Sequence, residues 1–139
     1  MTLTNEQAEA YGKRWMAKAG WADGMLMLPH PAFGGRHRVQ VDARGAFIPT
    51  AVPHDVPGDA LPDLRDGATK GAALEVVRER WGIKRLWAEF QADNAMWGVG
   101  DWVLGWACLD GEKPPPDLSA DSEEELLVAA LEAAPPVKP

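Results

Sequence analysis

Apolar positions recur along this chain with two different periods, and each change of period marks a new element. Thr4 and Gln7 form a capping box, after which Ala8, Tyr11, Trp15 and Ala19 return at helical spacing. Gly20 suits the left-handed residue that stops this first helix. The run Gly24 to Leu28 reads as a short buried strand closed by Pro29. Residues 36–49 read as a hairpin: His37, Val39 and Val41 alternate with Arg38, Gln40 and Asp42 before the turn Ala43-Arg44-Gly45 and the apolar Ala46-Phe47-Ile48. Residues 49–62, with four prolines, are expected to be loop.

A second helix follows, with Asp66 as N-cap, a stripe of Ala73, Leu74, Val77 and Trp81, and Gly82 as its stop. Period two then takes over. Leu86, Ala88 and Phe90 alternate with Trp87, Glu89 and Gln91, and past a turn at Asp93-Asn94 the positions Trp102, Leu104, Trp106 and Cys108 share a face. Glycines at 98, 100 and 105 predict a bulge or bend. Residues 111–118 form a proline-rich spacer before a third helix, which Ser122 and Glu125 cap and Leu127, Ala130, Leu131 and Ala134 dock. The expected fold is therefore one α+β domain over 1–139, a small antiparallel sheet of about four or five strands packed with three helices.

Charge refines this picture more than composition does. The net charge is −7, of which −2 falls in residues 1–110 and −5 in residues 111–139. Asp121, Glu123 and Glu124 sit where a helix dipole favours negative charge, so much of the excess is helix-start chemistry. A body without basic excess argues against binding duplex nucleic acid. The single cysteine, Cys108, permits no internal disulfide. With no signal peptide and no apolar run long enough for a bilayer, a cytoplasmic protein is expected.

Candidate chemistry is sparse. Ser119 and Ser122, the only serines, both lie at the start of the last helix, which argues against a serine nucleophile. Cys108, within a tryptophan-rich strand, is expected to be a buried inert thiol. The histidines His30, His37 and His54, with Asp55, are the residues from which a small metal-dependent hydrolase would be built, but no close pair fixes two ligands. Gly98, Gly100 and Gly105 miss the dinucleotide fingerprint, and no phosphate-cradling loop is present. No cofactor is expected.

Tryptophan is the unusual feature, with seven in 139 residues. Trp15 and Trp81 fall on helix stripes and belong to the core. Three short helices that also cover Phe90 and Leu104 cannot cover all of the sheet's rings, so Trp87, Trp97, Trp102 and Trp106 are the candidate binding residues. The arginines Arg36, Arg38 and Arg85 could hold a phosphate near these stacking faces.

The segments Asn5-Glu6-Gln7-Ala8, Gly20-Trp21 before Gly24-Met25-Leu26, the block Pro62 to Gly82 and the ending at 125–135 resemble those of small accessory proteins from tailed phages and prophages of GC-rich bacteria. That resemblance supplies no active site. It implies a setting, the host cytoplasm, and a mode of action: binding and disabling a host defence protein complex or sequestering a nucleotide signal. The leading expectation is a non-enzymatic binding protein with a possible homo-oligomeric state and no membrane partner, the alternative being the hydrolase.

Overall fold

The computed structural model describes residues 3–33, 35–94 and 99–135. Among these residues the fold is α+β, with three helices and two antiparallel sheets of three strands each. The chain divides into two compact units, Met1–Ala73 and Leu74–Pro139.

In the first unit, helix α1 (Asn5–Lys18) begins as its sequence predicts: Thr4 Oγ1 accepts from the Gln7 N–H at 3.1 Å and Gln7 Oε1 accepts from the Thr4 N–H at 2.9 Å. It stops differently. Ala19 caps it in an extended conformation, and Gly20 contributes a carbonyl that accepts from Trp15 Nε1 at 3.1 Å, so the indole replaces a left-handed glycine at this end. Strands β1 (Gln40–Asp42), β2 (Gly45–Ile48) and β3 (His54–Asp55) form the first sheet, in that order. Strand β3 lies inside the expected proline loop, where Phe47 pairs with Asp55 and Ile48 with His54.

The apolar run 24–28 is buried at Met25, Leu26 and Met27 but forms only isolated bridges, Leu26 to Arg38 and Met27 to Pro62. It threads between two irregular segments. Val39 N–H donates to Met25 O and Met27 N–H to His37 O on one side; Leu28 N–H donates to Leu61 O and Asp63 N–H to Leu26 O on the other. Met25, Leu26 and Met27 are consecutive and all buried, a use of the chain as core filler that no one-sided strand permits. The expected single sheet of four or five strands is corrected on this point: the central ribbon carries too few paired residues to extend β1–β3, and two sheets of three strands result.

A polar node fixes the start of helix α2 (Gly67–Trp81). Asp66 Oδ2 accepts from the Thr69 N–H at 3.0 Å and from the Thr69 hydroxyl at 2.9 Å. The buried Thr69 Oγ1 in turn accepts from the Leu26 N–H at 2.8 Å. Arg38 grips the same carboxylate with both terminal nitrogens, at 2.8 and 3.1 Å, and donates to Gly24 O at 3.1 Å. One side chain therefore caps a helix, orients a buried hydroxyl and neutralises an arginine. The Arg38 hydrogen bond holds the Asp66 carboxyl far below the usual carboxylate range.

The second unit contains the end of α2, closed by Gly82 at φ +68° as expected, and strands β4 (Arg85–Asn94), β5 (Val99–Ala107) and β6 (Ser119–Ala120) in that order. Helix α3 (Glu123–Ala133) packs on all three strands. Ser122 Oγ accepts from the Glu125 N–H at 3.1 Å, and Glu123, Glu124 and Glu125 occupy the first turn. Leu126, Leu127, Val128, Ala130 and Leu131 are buried, and the Ala130 carbonyl accepts from Trp81 Nε1 at 2.9 Å. Cys108 lies just past β5 and is exposed, not buried, because the strand ends one residue before it. Among the described residues no helix is long and apolar enough to cross a membrane.

Replacing Leu127 or Leu131 by Ala is expected to cost about 2–5 kcal/mol in urea unfolding, whereas Val52→Ala, at a site 69% exposed, is expected to cost under about 0.5 kcal/mol. Asp66→Asn tests the polar node. The folded-state pKa of Asp66 is depressed, so its stabilisation is complete above the ordinary aspartate pKa of about 3.9 and drains away as pH falls below it. The variant is expected to be less stable than wild type at neutral pH and to converge on it in acid, measured as urea midpoint against pH.

Candidate functional site

The ladder between β4 and β5 aligns Leu86 with Trp106, Ala88 with Leu104 and Phe90 with Trp102 on one face, and Trp87 with Gly105 and Glu89 with Val103 on the other. These are the faces that the alternation in the sequence predicts. Burial along the first face falls steeply: Leu86 is inaccessible, Ala88 half-buried and Phe90 44% exposed. Phe90 is therefore not covered by the helices, contrary to the expectation from its place beside Leu86 and Leu104. Its ring meets Trp102 edge-on, centroids 5.9 Å apart at 60°, which gives the open end of the hairpin a paired aromatic surface.

Trp87 occupies the opposite face at 39% exposure. Its indole lies across the strand on Gly105, where an added Cβ would sit 2.2 Å from the indole nitrogen. Only glycine permits that contact. The ring replaces the missing side chain and leaves Gly105 buried. Trp87 Nε1 donates to Glu89 Oε2 at 3.2 Å, so the ring is held at both its flat face and its polar edge. Trp106 is half-buried and lines, with Val103, Asp117 and Ser119, an open groove of about 380 Å³ beside β6. Of the four candidate tryptophans, Trp87, Trp102 and Trp106 thus share one hairpin, and Trp97 lies outside the described residues.

The candidate arginines do not gather. Arg85 is exposed at the first residue of β4, in the second unit. Arg36 and Arg38 belong to the first, where acids engage both. Arg38 is taken up by Asp66, and Arg36 Nη2 stands 3.5 Å from Oδ2 of the buried Asp63. Asp63 is also gripped by Arg65 at 2.9 and 3.1 Å. The guanidinium groups are therefore used to satisfy buried and capping carboxylates.

The three histidines do converge, but on a ring. Phe33 has His30, His37 and His54 around it at 6.4, 5.9 and 5.7 Å between centroids. His30 Nδ1 accepts from the Ala32 N–H at 3.0 Å, so Nε2 carries the proton and donates to Asp59 at 2.8 Å. That bond lowers the Asp59 pKa. Both nitrogens are committed, leaving no lone pair for a metal ion or a substrate proton. Among the described residues, no three His, Cys, Asp or Glu side chains are grouped as a metal ion requires. A cleft of about 290 Å³ beside these groups is lined by His30, Asp59, Glu9, Asn5 and the apolar Leu28 and Leu61.

No protein-family model, curated protein or solved structure matches the chain.

Phe90 is the site residue that sequence reasoning missed, since its period placed it with the core. The signal lies in comparing lengths: the strand is too long for the helix that follows it. Gly105→Ala is expected to expel the Trp87 ring into water and shift tryptophan emission to the red, an effect absent when Trp87 is already Phe. Identical emission from Gly105→Ala and wild type would contradict the stacked geometry.

Proposed function

We propose that the chain is a non-enzymatic binding protein that acts through the open end of the β4–β5 hairpin. In the setting implied by the phage-type resemblance, it inhibits bacterial antiviral defence by occupying a surface of a host protein complex. The observation that carries this reading is the half-exposed pair Phe90 and Trp102 on one face, with Trp87 exposed on the other. Rigid aromatic rings on a regular strand lose little entropy on binding, and such rings dominate interface energetics.

Two other readings are less well supported. Sequestering a nucleotide signal would need free guanidinium groups near the rings, but Arg36 and Arg38 already face Asp63 and Asp66. A metal-dependent hydrolase built on His30, His37, His54 and Asp55 would need its ligands grouped, and among the described residues no three such side chains are.

The test is to challenge a defence-bearing bacterial host with a sensitive phage while expressing the wild-type chain, Phe90→Glu or Trp87→Ala. Wild type is expected to restore plaque formation, and each variant to lose at least tenfold in plating efficiency at equal folded protein. In a reconstituted defence reaction, inhibition is expected to saturate at one chain per target. Complete inhibition at far fewer chains than targets would reveal turnover and overturn the binding reading.

A further inference from the structure

β4 is an edge strand among the described residues, where it pairs with β5 alone. The direction of its unpaired groups follows from one contact. The Leu86 carbonyl accepts from Arg78 Nε at 2.8 Å and so points away from β5. Residues in step with it, Ala88, Phe90 and Ala92, turn their N–H and C=O groups to the same side. Among the described residues no strand pairs with β4 on that side. Neither lysine nor proline interrupts this edge between Leu86 and Ala92; Glu89 is its one charge there, and the irregularity comes only past Ala92.

We infer that β4 pairs edge to edge with the β4 strand of a second copy of this chain, antiparallel, about a two-fold axis at Phe90. Charge and backbone geometry favour that register; centring on Ala88 would pair Phe90 with Leu86, whose carbonyl Arg78 already holds. Centring on Glu89 would set two identical carboxylates opposite one another. Centring on Gln91 would run the ladder into the irregularity past Ala92. Centring on Phe90 pairs Phe90 with Phe90 and Ala88 with Ala92, and places Glu89 opposite Gln91, whose amide already reaches toward Glu89 within one chain at 3.5 Å.

The two Phe90 rings then lie side by side on one face, each flanked by its own Trp102. Four aromatic rings form a strip that neither copy has alone, and the two sheets become one of six strands. Antiparallel pairing also sets the covered Leu86 end of each copy beside the open end of the other. The inference shares the hairpin with the proposed function but not its outcome, because a monomeric chain could still disable a target.

Sedimentation equilibrium from micromolar to near-millimolar concentration tests it on the intact chain. Wild type is expected to reach twice the chain mass. Ala92→Pro removes one outward N–H without touching the β5 ladder, and Phe90→Lys places charge on the two-fold axis; both are expected to sediment as monomers with unchanged far-ultraviolet circular dichroism. A wild-type chain that stays monomeric throughout would overturn the pairing, and so would a dimer that survives both substitutions. Monomeric wild type that still restores plaque formation would sink this inference alone, whereas a dimer without inhibitory effect would sink only the proposed function.

Discussion

A short helix cannot cover a long hairpin, and the second unit is organised by that mismatch. Helix α3 has 11 residues and rises about 16 Å, whereas β4 has 10 and extends about 33 Å. Leucines 126, 127 and 131 of this helix are buried, and α3 packs on all three strands, yet exposure rises along the sheet's apolar face toward Phe90. The fall in burial from Leu86 to Phe90 is the direct result. The open Phe90–Trp102 pair follows from it, while the strand order leaves β4 at the edge and the Trp87 indole covers Gly105 on the opposite face.

The first unit solves a different problem, and its solution limits what the chain can bind. Its core is built on an irregular ribbon, so backbone groups and helix starts must be satisfied by side chains. Asp63 and Asp66 carry that task, and Arg36, Arg38 and Arg65 neutralise them. Buried or capping carboxylates of this kind specify geometry more than they add stability. The consequence for function is concrete. Guanidinium groups that resemble a phosphate cradle in the sequence already hold anions supplied by the chain itself.

Much of this was legible in the sequence where a local rule decides the outcome. The Thr4 capping box, the Asp66 cap, the Gly82 stop and the alternation through residues 86–106 are written in short-range patterns, and each has its counterpart in the structure. What the sequence hid depends on partners distant along the chain. Residues 24–28 look like a strand, but their neighbours at 37–39 and 61–63 offer only bridges. Gly20 looks like a helix stop, yet Trp15 uses its carbonyl instead. Phe90 has the period of a core residue and lacks only a helix long enough to reach it. The three histidines, scattered in sequence, meet only because Phe33 gathers them.

Amide hydrogen exchange resolved along β4 tests the uncovered hairpin most directly. In dilute solution the amides of Trp87, Glu89 and Gln91, which face β5, should be protected, while those of Ala88, Phe90 and Ala92 exchange rapidly. Raising the protein concentration should slow the second set and leave the first unchanged. Ala88, Phe90 and Ala92 protected equally at every concentration would mean that the chain covers this edge itself, and the account of an open working surface would fail.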